Sequence, residues 1–174
     1  KGRIPYQDAL IYAEKIKEAL EKSPIMTRVS FLGSLRRKSE TVGDIEMGMS
    51  VDDVEEIKKY IAELSIVRKV LVAGNNIIRI ILQNTWQVDI KLSSEAEWGS
   101  FIQHFTGSKE HNIRLREIAL KKGLSLSEHG IKIRETDRMK TFEDEEKFYN
   151  YLGFNLIPPQ ERKGGEEFEK YRKE

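Results

Sequence analysis

A Gly-Ser turn followed closely by two acids is the feature that most restricts how this chain can fold. Gly33-Ser34 follows residues 29–32, which have the pattern of a short strand, and Asp44 and Glu46 stand two residues apart on a second expected strand. Side chains at that spacing leave the same face of a strand. The turn can direct backbone N–H groups at an anion. The pattern therefore predicts a phosphate-binding turn beside paired carboxylates.

A third acid belongs to a later strand pattern. Asp89 alternates with Val88, Ile90 and Leu92, which fits a strand buried on one face with the carboxylate on the other. Three carboxylates from neighbouring strands offer the oxygen donors that two Mg²⁺ ions require. Acids near turns are usually solvent-facing, so the residues alone leave this metal site as a hypothesis.

A polar and basic segment in the second half of the chain runs from Phe105-Thr106-Gly107-Ser108 through Arg116. It resembles the lining of the nucleotide pocket in family X DNA polymerases, the DNA polymerase beta superfamily. Other segments resemble that family's palm start, its two metal motifs and its C-terminal signature, in the family's own order: residues 3–5, 33–46, 87–92 and 152–162. The Gln-Val-Asp form around Asp89 is most similar to bacterial and archaeal members.

The resemblance implies a DNA-directed DNA polymerase that adds dNTPs to a primer 3′ end in short-gap repair by two-metal nucleotidyl transfer. It implies catalysis and metal binding by Asp44, Glu46 and Asp89. The implied contacts to the triphosphate are Arg3, Gly33, Ser34, Arg37 and Gly43. The implied nucleotide-selecting residues are His104 and Phe105 beside the sugar, Gly107 at the turn, and Asn112 and Arg116 on the minor-groove side of the new base pair.

One departure from the family pattern concerns the metal ligands. Glu46 stands where the family usually carries a second Asp, and its extra methylene shifts the carboxylate. Because Mg²⁺ demands near-ideal octahedral geometry, this change predicts weaker catalysis or a preference for Mn²⁺. Two alternatives to the templated polymerase follow: a catalytically weakened DNA- or nucleotide-binding palm, and a template-independent terminal transferase, which substitutions such as His104 and Lys109 near the nucleotide would suit.

The pattern of apolar residues predicts an α+β fold with two parts. The family resemblance identifies the first part, residues 1–93, as a nucleotidyltransferase palm with a mixed β-sheet and helices, and the second, residues 94–174, as a small α/β nucleotide-selecting lobe. Helical spacing and alternation predict helices near 6–22, 53–64, 95–104, 109–122 and 143–151, and strands near 28–33, 43–50, 67–72, 77–82 and 86–92. Gly74-Asn75-Asn76 predicts a hairpin, a second hairpin is expected around Gly130, and Pro158-Pro159 opens a loop-rich end.

Net charge and residue composition restrict the binding partners that the chain can have. The net charge is only +1, so attraction to DNA has to come from local basic clusters, and the candidates are residues 36–38, 114–122 and 132–138. The absence of cysteine and of any long apolar run favours an intracellular protein with no membrane association. We expect a monomer that binds gapped or primed DNA. A chain beginning at Lys1 is expected to be a domain of a longer protein or part of a repair complex.

Overall fold

The computed structural model describes residues 2–174, apart from the side chains of residues 26 and 27. The chain divides into two compact units, Lys1–Glu95 and Ala96–Glu174. Each unit has its own cluster of buried apolar side chains. No helix in the described part of the chain has the length and apolar character needed to cross a membrane.

The first unit is built around a mixed five-stranded sheet. Its described elements, in chain order, are β1 (Ile4–Pro5), α1 (Tyr6–Glu21), β2 (Met26–Phe31), α2 (Gly33–Arg36), β3 (Thr41–Val42), β4 (Ile45–Val51), α3 (Val54–Ala62), β5 (Val67–Ala73), β6 (Ile77–Leu82) and β7 (Gln87–Ser93). The strand order is β2-β4-β7-β6-β5, in which β4 and β7 are parallel and the other neighbours are antiparallel. The parallel pair is possible because α3 and the β5–β6 hairpin provide a long connection between its strands.

The core of the first unit lies on one face of this sheet. Ile45, Met47 and Met49 alternate along β4 and are fully buried. They belong to the same apolar cluster as Ile16 and Leu20, which lie on the buried stripe of α1. Because strand side chains alternate between faces, Glu46 is placed on the face opposite this core. The sheet thus carries an apolar face and a polar face, and the predicted acids belong to the polar one.

The second unit packs helices against a small antiparallel sheet. Its described elements, in chain order, are α4 (Trp98–Thr106), α5 (Lys109–Lys121), β8 (Leu124–Ser127), β9 (Gly130–Ile133), β10 (Arg138–Lys140), α6 (Glu145–Tyr151), a 3₁₀ turn at Pro159–Glu161 and α7 (Glu167–Lys170). The sheet order is β10-β9-β8. Phe148, Leu152 and Ile157 are among the fully or nearly fully buried residues of its core.

The predicted mixed α+β fold is confirmed, and the differences are short elements. The sequence reading omits the β1–β3 pair, in which Ile4 aligns with Val42 and Pro5 with Thr41, as well as strand β10 and helix α7. Gly33–Arg36, which we expected as a turn, forms a single helical turn. Segments this short contain too few residues to show a period.

The boundary between the units falls after Glu95, whereas the sequence reading places it after residue 93. The Glu95 carboxylate accepts a hydrogen bond from the Ser50 hydroxyl at 2.9 Å and forms an ion pair with Arg28 at 2.9 Å. Both partners belong to strands of the first unit, so these contacts tie Glu95 to that unit.

Candidate active site

The three predicted acids lie close together in the strand register of the first unit. Glu46 on β4 is aligned with Asp89 on the parallel strand β7. Asp44 precedes β4 and is two residues from Glu46. Asp89 is buried, with 7% of its surface exposed, whereas Asp44 and Glu46 are half-buried. The fold therefore brings the two acid motifs onto adjacent strands.

Basic and amide side chains bind these acids. Arg79 on β6 is aligned with Asp89, and its guanidinium donates two hydrogen bonds to that carboxylate, from Nε at 2.8 Å and from Nη2 at 3.2 Å. Lys91 Nζ donates to Glu46 Oε1 at 3.0 Å. Gln87 Nε2 donates to Asp89 Oδ1 at 3.1 Å and to Asp44 Oδ2 at 3.4 Å. The acids and the side chains that bind them therefore form a row in which carboxylates alternate with hydrogen-bond donors.

This row determines the electrostatics of the site. The hydrogen bond and the charge of Asp89 raise the pKa of Arg79 above its ordinary value. Among residues 2–174, no three His, Cys, Asp or Glu side chains are grouped so as to hold a metal ion. In the observed arrangement the Glu46 and Asp89 carboxylates are paired with protein cations, although carboxylates are the hard oxygen donors that Mg²⁺ and Mn²⁺ prefer.

The sequence reading did not assign Arg79, Gln87 or Lys91 to the site. Gln87 and Lys91 each lie two residues from Asp89 on the same strand, so the alternation that placed Asp89 also places them on its face. Arg79 is the single charged residue in the otherwise apolar run 77–81. Its partner is fixed by the β6–β7 register, which the sequence pattern does not define.

Gly33 has a specific reason to be glycine. Its φ is +57°, a region that L side chains rarely adopt, and a Cβ there would lie 2.2 Å from Glu46 Oε2. The Leu32 backbone N–H donates to the Glu46 carbonyl at 2.9 Å and holds the two segments together. The glutamate carboxylate therefore lies between the Gly33 backbone and the Lys91 ammonium.

The other predicted triphosphate contacts lie on two neighbouring segments. Ser34 and Arg37 belong to the turn of α2 and its end, where the Arg37 backbone N–H donates to the Gly33 carbonyl. Arg3 donates from Nε to the Thr41 hydroxyl and from Nη2 to the Thr41 carbonyl, both at 2.8 Å. A Cβ on Gly43 would lie 3.3 Å from the Arg3 guanidinium. Arg3 and Gly43 are therefore neighbours.

The predicted nucleotide-selecting residues lie at the corner between α4 and α5 in the second unit. The His104 and Phe105 rings meet edge to face with centroids 4.7 Å apart. Gly107 ends α4 with φ +70°, the Gly107–Ser108 peptide bond is cis, and the Ser108 hydroxyl accepts the His111 backbone N–H. Ser108 therefore begins α5 as the sequence reading expects.

Asn112 and Arg116 differ in how they are held. The Asn112 amide donates to the His104 carbonyl at 2.9 Å and accepts from Gln103 Nε2 at 2.9 Å. Arg116 follows one turn later and is exposed. At the corner between α4 and α5, the Asn112 amide is hydrogen-bonded within its own unit, whereas the guanidinium of Arg116 faces solvent.

A buried polar network lies in the same unit, and the sequence reading assigned it no role. His111 is fully buried, with Nδ1 2.7 Å from Glu167 Oε2 and Nε2 2.9 Å from the Tyr149 hydroxyl. Burial lowers the pKa of His111 to about 4, and the hydrogen bond to Glu167 opposes this only in part. The neutral ring thus donates from Nδ1 to the carboxylate and accepts the tyrosine proton at Nε2.

The C-terminal signature contributes a second buried contact. The Arg162 guanidinium donates to Glu145 at 2.7 Å and twice to the Ile157 carbonyl, at 2.9 and 2.7 Å. Its carbon also lies 5.0 Å from the centre of the Tyr149 ring. Each of the three guanidinium nitrogens therefore donates to an acceptor, and these contacts join Arg162 to Glu145 and Ile157.

The fold is that of a nucleotidyltransferase palm followed by a small α/β lobe. Residues 101–163 match the family model described as DNA polymerase beta thumb. The chain is 37% identical over 171 residues to the DNA polymerase/3'-5' exonuclease PolX of Bacillus subtilis, an alignment that covers 97% of this chain and 30% of that protein. It is 26% identical over 137 residues to the Repair DNA polymerase X of African swine fever virus, covering 75% of this chain and 79% of the viral protein.

These matches confirm the resemblance stated from the sequence. The chain belongs to the family X DNA polymerases, the DNA polymerase beta superfamily. It spans 30% of the length of the bacterial relative.

Proposed function

We propose that this chain is a DNA-directed DNA polymerase that adds dNTPs to the 3′ end of a primer in gapped DNA. The observation that carries the proposal is the strand register that aligns Glu46 with Asp89 and leaves Asp44 two residues away. Three acids on one polar face, next to the Gly33-Ser34 turn, are what nucleotidyl transfer requires. The names of the bacterial and viral relatives support the same activity.

We propose Asp44, Glu46 and Asp89 as the ligands of Mg²⁺, with Mn²⁺ as the alternative. Their oxygen donors fit these ions. A divalent cation bound there supplies Lewis-acid stabilisation of the charge on the transferring phosphoryl group. Arg3, Ser34 and Arg37, with the backbone at Gly33 and Gly43, orient the triphosphate. His104, Phe105, Gly107, Asn112 and Arg116 select the incoming nucleotide.

Cation binding has to compete with the observed ion pairs. Arg79 neutralises Asp89 and Lys91 neutralises Glu46, so each must turn away before those carboxylates serve a metal ion. Such an exchange is favourable because a divalent ion carries twice the charge of the group that it replaces. The site of the proposed polymerase is therefore held in a neutralised arrangement until metal and nucleotide bind.

The same ion pairs favour a second candidate function, a catalytically weakened palm that binds DNA or nucleotide. Glu46 adds to this possibility because its carboxylate contacts the Gly33 backbone and is held by Lys91. In that case nucleotide binding would persist while extension would be lost. The Glu46→Asp variant separates the two functions, since a shorter carboxylate withdraws from Gly33.

The test is extension of a primed one-nucleotide gap with single dNTPs, in Mg²⁺ and in Mn²⁺. We expect template-matched extension by the wild-type chain and a loss of at least about a hundredfold in Asp89→Asn, which removes a metal ligand while keeping the side-chain volume. Asp8→Asn, on the exposed start of α1, is the matched control and should extend normally.

Each remaining outcome has a defined meaning. Substantial extension by Asp89→Asn would refute the assignment of the site. Inactivity of the wild type with activity in Glu46→Asp would establish the weakened palm instead. Extension of a single-stranded primer without a template would establish a terminal transferase.

A further inference from the structure

A groove in the second unit lies outside the residues assigned to the proposed polymerase site. It has a volume of about 450 Å³ and lies between α5 and the C-terminal segment. Ile118 on α5, together with the Leu152, Phe154 and Phe168 side chains, provides its apolar part. The last three of these belong to the buried core, so the floor of the groove is fixed by packing.

Positive charge lines both walls of this groove. Arg114 comes from α5 and Lys122 from its C-terminal cap, Arg172 and Lys173 come from the C-terminal segment, and Glu169 is the single acid among the lining residues. Glu169 pairs with Arg172 at 2.8 Å. Within residues 2–174, the charged groups of Arg114, Lys122 and Lys173 have no ion pair or side-chain hydrogen bond. A chain whose net charge is +1 therefore concentrates cations at one concave surface.

The backbone holds these cations in place. Arg114 and Ile118 lie four residues apart on one face of α5, and Lys122 caps the C-terminal end of that helix. Lys122 Nζ lies close to Gly153, where a Cβ would be 3.7 Å away. The opposite wall is attached by the Phe154–Arg172 bridge and by the Lys173 backbone N–H, which donates to the Gly153 carbonyl at 2.9 Å.

This face differs from the predicted nucleotide-selecting face. Arg114 is displaced by two residues from both Asn112 and Arg116, which is about 200° around a helix with 3.6 residues per turn. Arg114 therefore points away from the side of α5 that carries those two residues. A ligand held by Arg114 lies on the opposite side of α5 from the predicted minor-groove contacts.

We propose that this groove binds the phosphodiester backbone of DNA, an inference that rests on the proposed polymerase function. Guanidinium groups match phosphate oxygens with paired hydrogen bonds, and ammonium groups match them as point charges. Cations on two facing walls suit a strand that carries one phosphate per nucleotide. The contact adds affinity without reading sequence, because phosphates are the same at every position. It gives the polymerase a second hold on its DNA.

The test compares DNA binding by Arg114→Gln/Lys122→Gln with binding by Arg68→Gln/Lys59→Gln, a control that removes the same charge from exposed sites outside the groove and outside the basic clusters. Fluorescence anisotropy measures the affinity of the full chain for gapped DNA at several salt concentrations. Each phosphate contact contributes about one unit to the slope of log K against log salt. We expect the groove variant to lower that slope by about two units and the control to change it by less than one.

A second set of measurements separates this inference from the proposed function. Binding is measured without dNTP or divalent metal, and Asp89→Asn should keep the wild-type affinity and slope. The groove variant should extend saturating gapped DNA at the wild-type rate. Equal slopes in the groove variant and the control would overturn the inference, as would loss of affinity for an acidic peptide such as hexaglutamate with DNA affinity unchanged. Thermal unfolding of both variants verifies that they fold.

Discussion

At the scale of single residues, Arg79 has the strongest effect on the predicted chemistry. It holds both oxygens of Asp89, the most buried of the three acids. We expect Arg79→Met to lower the free energy of unfolding without metal, because the Asp89 carboxylate loses its partner. We also expect Mn²⁺ to bind about fivefold more tightly, since the competing cation is gone.

Calorimetric titration with Mn²⁺ and urea unfolding with and without Mn²⁺ measure both effects. Saturating Mn²⁺ should restore much of the lost stability, because a ligand that binds only the folded state stabilises it. Arg68→Met, at an exposed position of β5, is the control and should alter neither quantity. Unchanged Mn²⁺ affinity in Arg79→Met would contradict the competition between Arg79 and the metal.

The backbone conformation and surroundings of residue 33 require a glycine. Gly33→Ala places a methyl group against the Glu46 carboxylate and forces an L residue to φ +57°. We expect a loss of stability of about 1–2 kcal/mol and weaker nucleotide binding. Adding Glu46→Asp should recover part of the loss, since the shorter side chain withdraws from the methyl group. Gly74→Ala, where the nearest atom is 3.5 Å from the new Cβ, should cost less. Urea unfolding of these three variants and of Glu46→Asp alone tests this, and an equal cost at both glycines would refute it.

At the scale of helices and strands, the sequence predicted the parts whose pattern repeats. The alternation around Asp89 and the apolar run 77–82 placed β7 and β6, and helical spacing over 109–122 placed α5. The basic partners of the acids were missed because the identity of a cross-strand neighbour depends on register. The β1–β3 pair was missed because two residues show no alternation. Local periodicity therefore predicts which face a side chain occupies, while long-range pairing decides what it touches.

Two residues at the corner between α4 and α5 are expected to differ in role: Asn112 contributes to stability and Arg116 contacts the substrate. Asn112→Asp keeps the acceptor for Gln103 but places a carboxylate against the His104 carbonyl. We expect it to lower the free energy of unfolding by about 1–3 kcal/mol, because the donor is lost and two acceptors face each other. Arg116→Gln should leave stability unchanged within about 0.5 kcal/mol, since the residue is exposed, and should reduce extension. Urea unfolding and gap extension of both variants check this, and a loss of stability in Arg116→Gln would contradict it.

At the scale of the whole molecule, two separate cores predict that acid affects the two units differently. The second unit buries His111 with Glu167 and Tyr149, whereas the first unit has no histidine among its described residues. The pKa of His111 is about 4 when folded and returns to its ordinary value of 6.5 when the chain unfolds. Below pH 6.5 the unfolded state therefore binds a proton that the folded state does not. The stability that His111 contributes is complete above pH 6.5 and is lost as the pH falls towards 4.

The loss amounts to about 3 kcal/mol over that range, at about 1.4 kcal/mol per pH unit. Hydrogen bonds from His111 and from the backbone at Gly164 and Gly165 outweigh burial and lower the pKa of Glu167, which adds to the loss at the acid end. Trp98 reports on the second unit once Trp86, in the first unit, is replaced by Phe. Urea unfolding followed by Trp98 fluorescence from pH 7 to 4 should show this fall in the free energy of unfolding. In His111→Gln, the number of protons taken up on unfolding should be smaller by about one.

His129→Gln is the matched control for this dependence of the free energy of unfolding on pH. His129 is exposed, and its hydrogen bond to Glu97 raises its pKa, so its titration has the opposite sign. A folded pKa above the unfolded one stabilises the protein at low pH, and removing His129 should make the acid loss slightly larger. Equal slopes in the wild type and His111→Gln would mean that His111 does not control the acid sensitivity. A steeper slope in His129→Gln and a flatter one in His111→Gln would assign that sensitivity to the buried network.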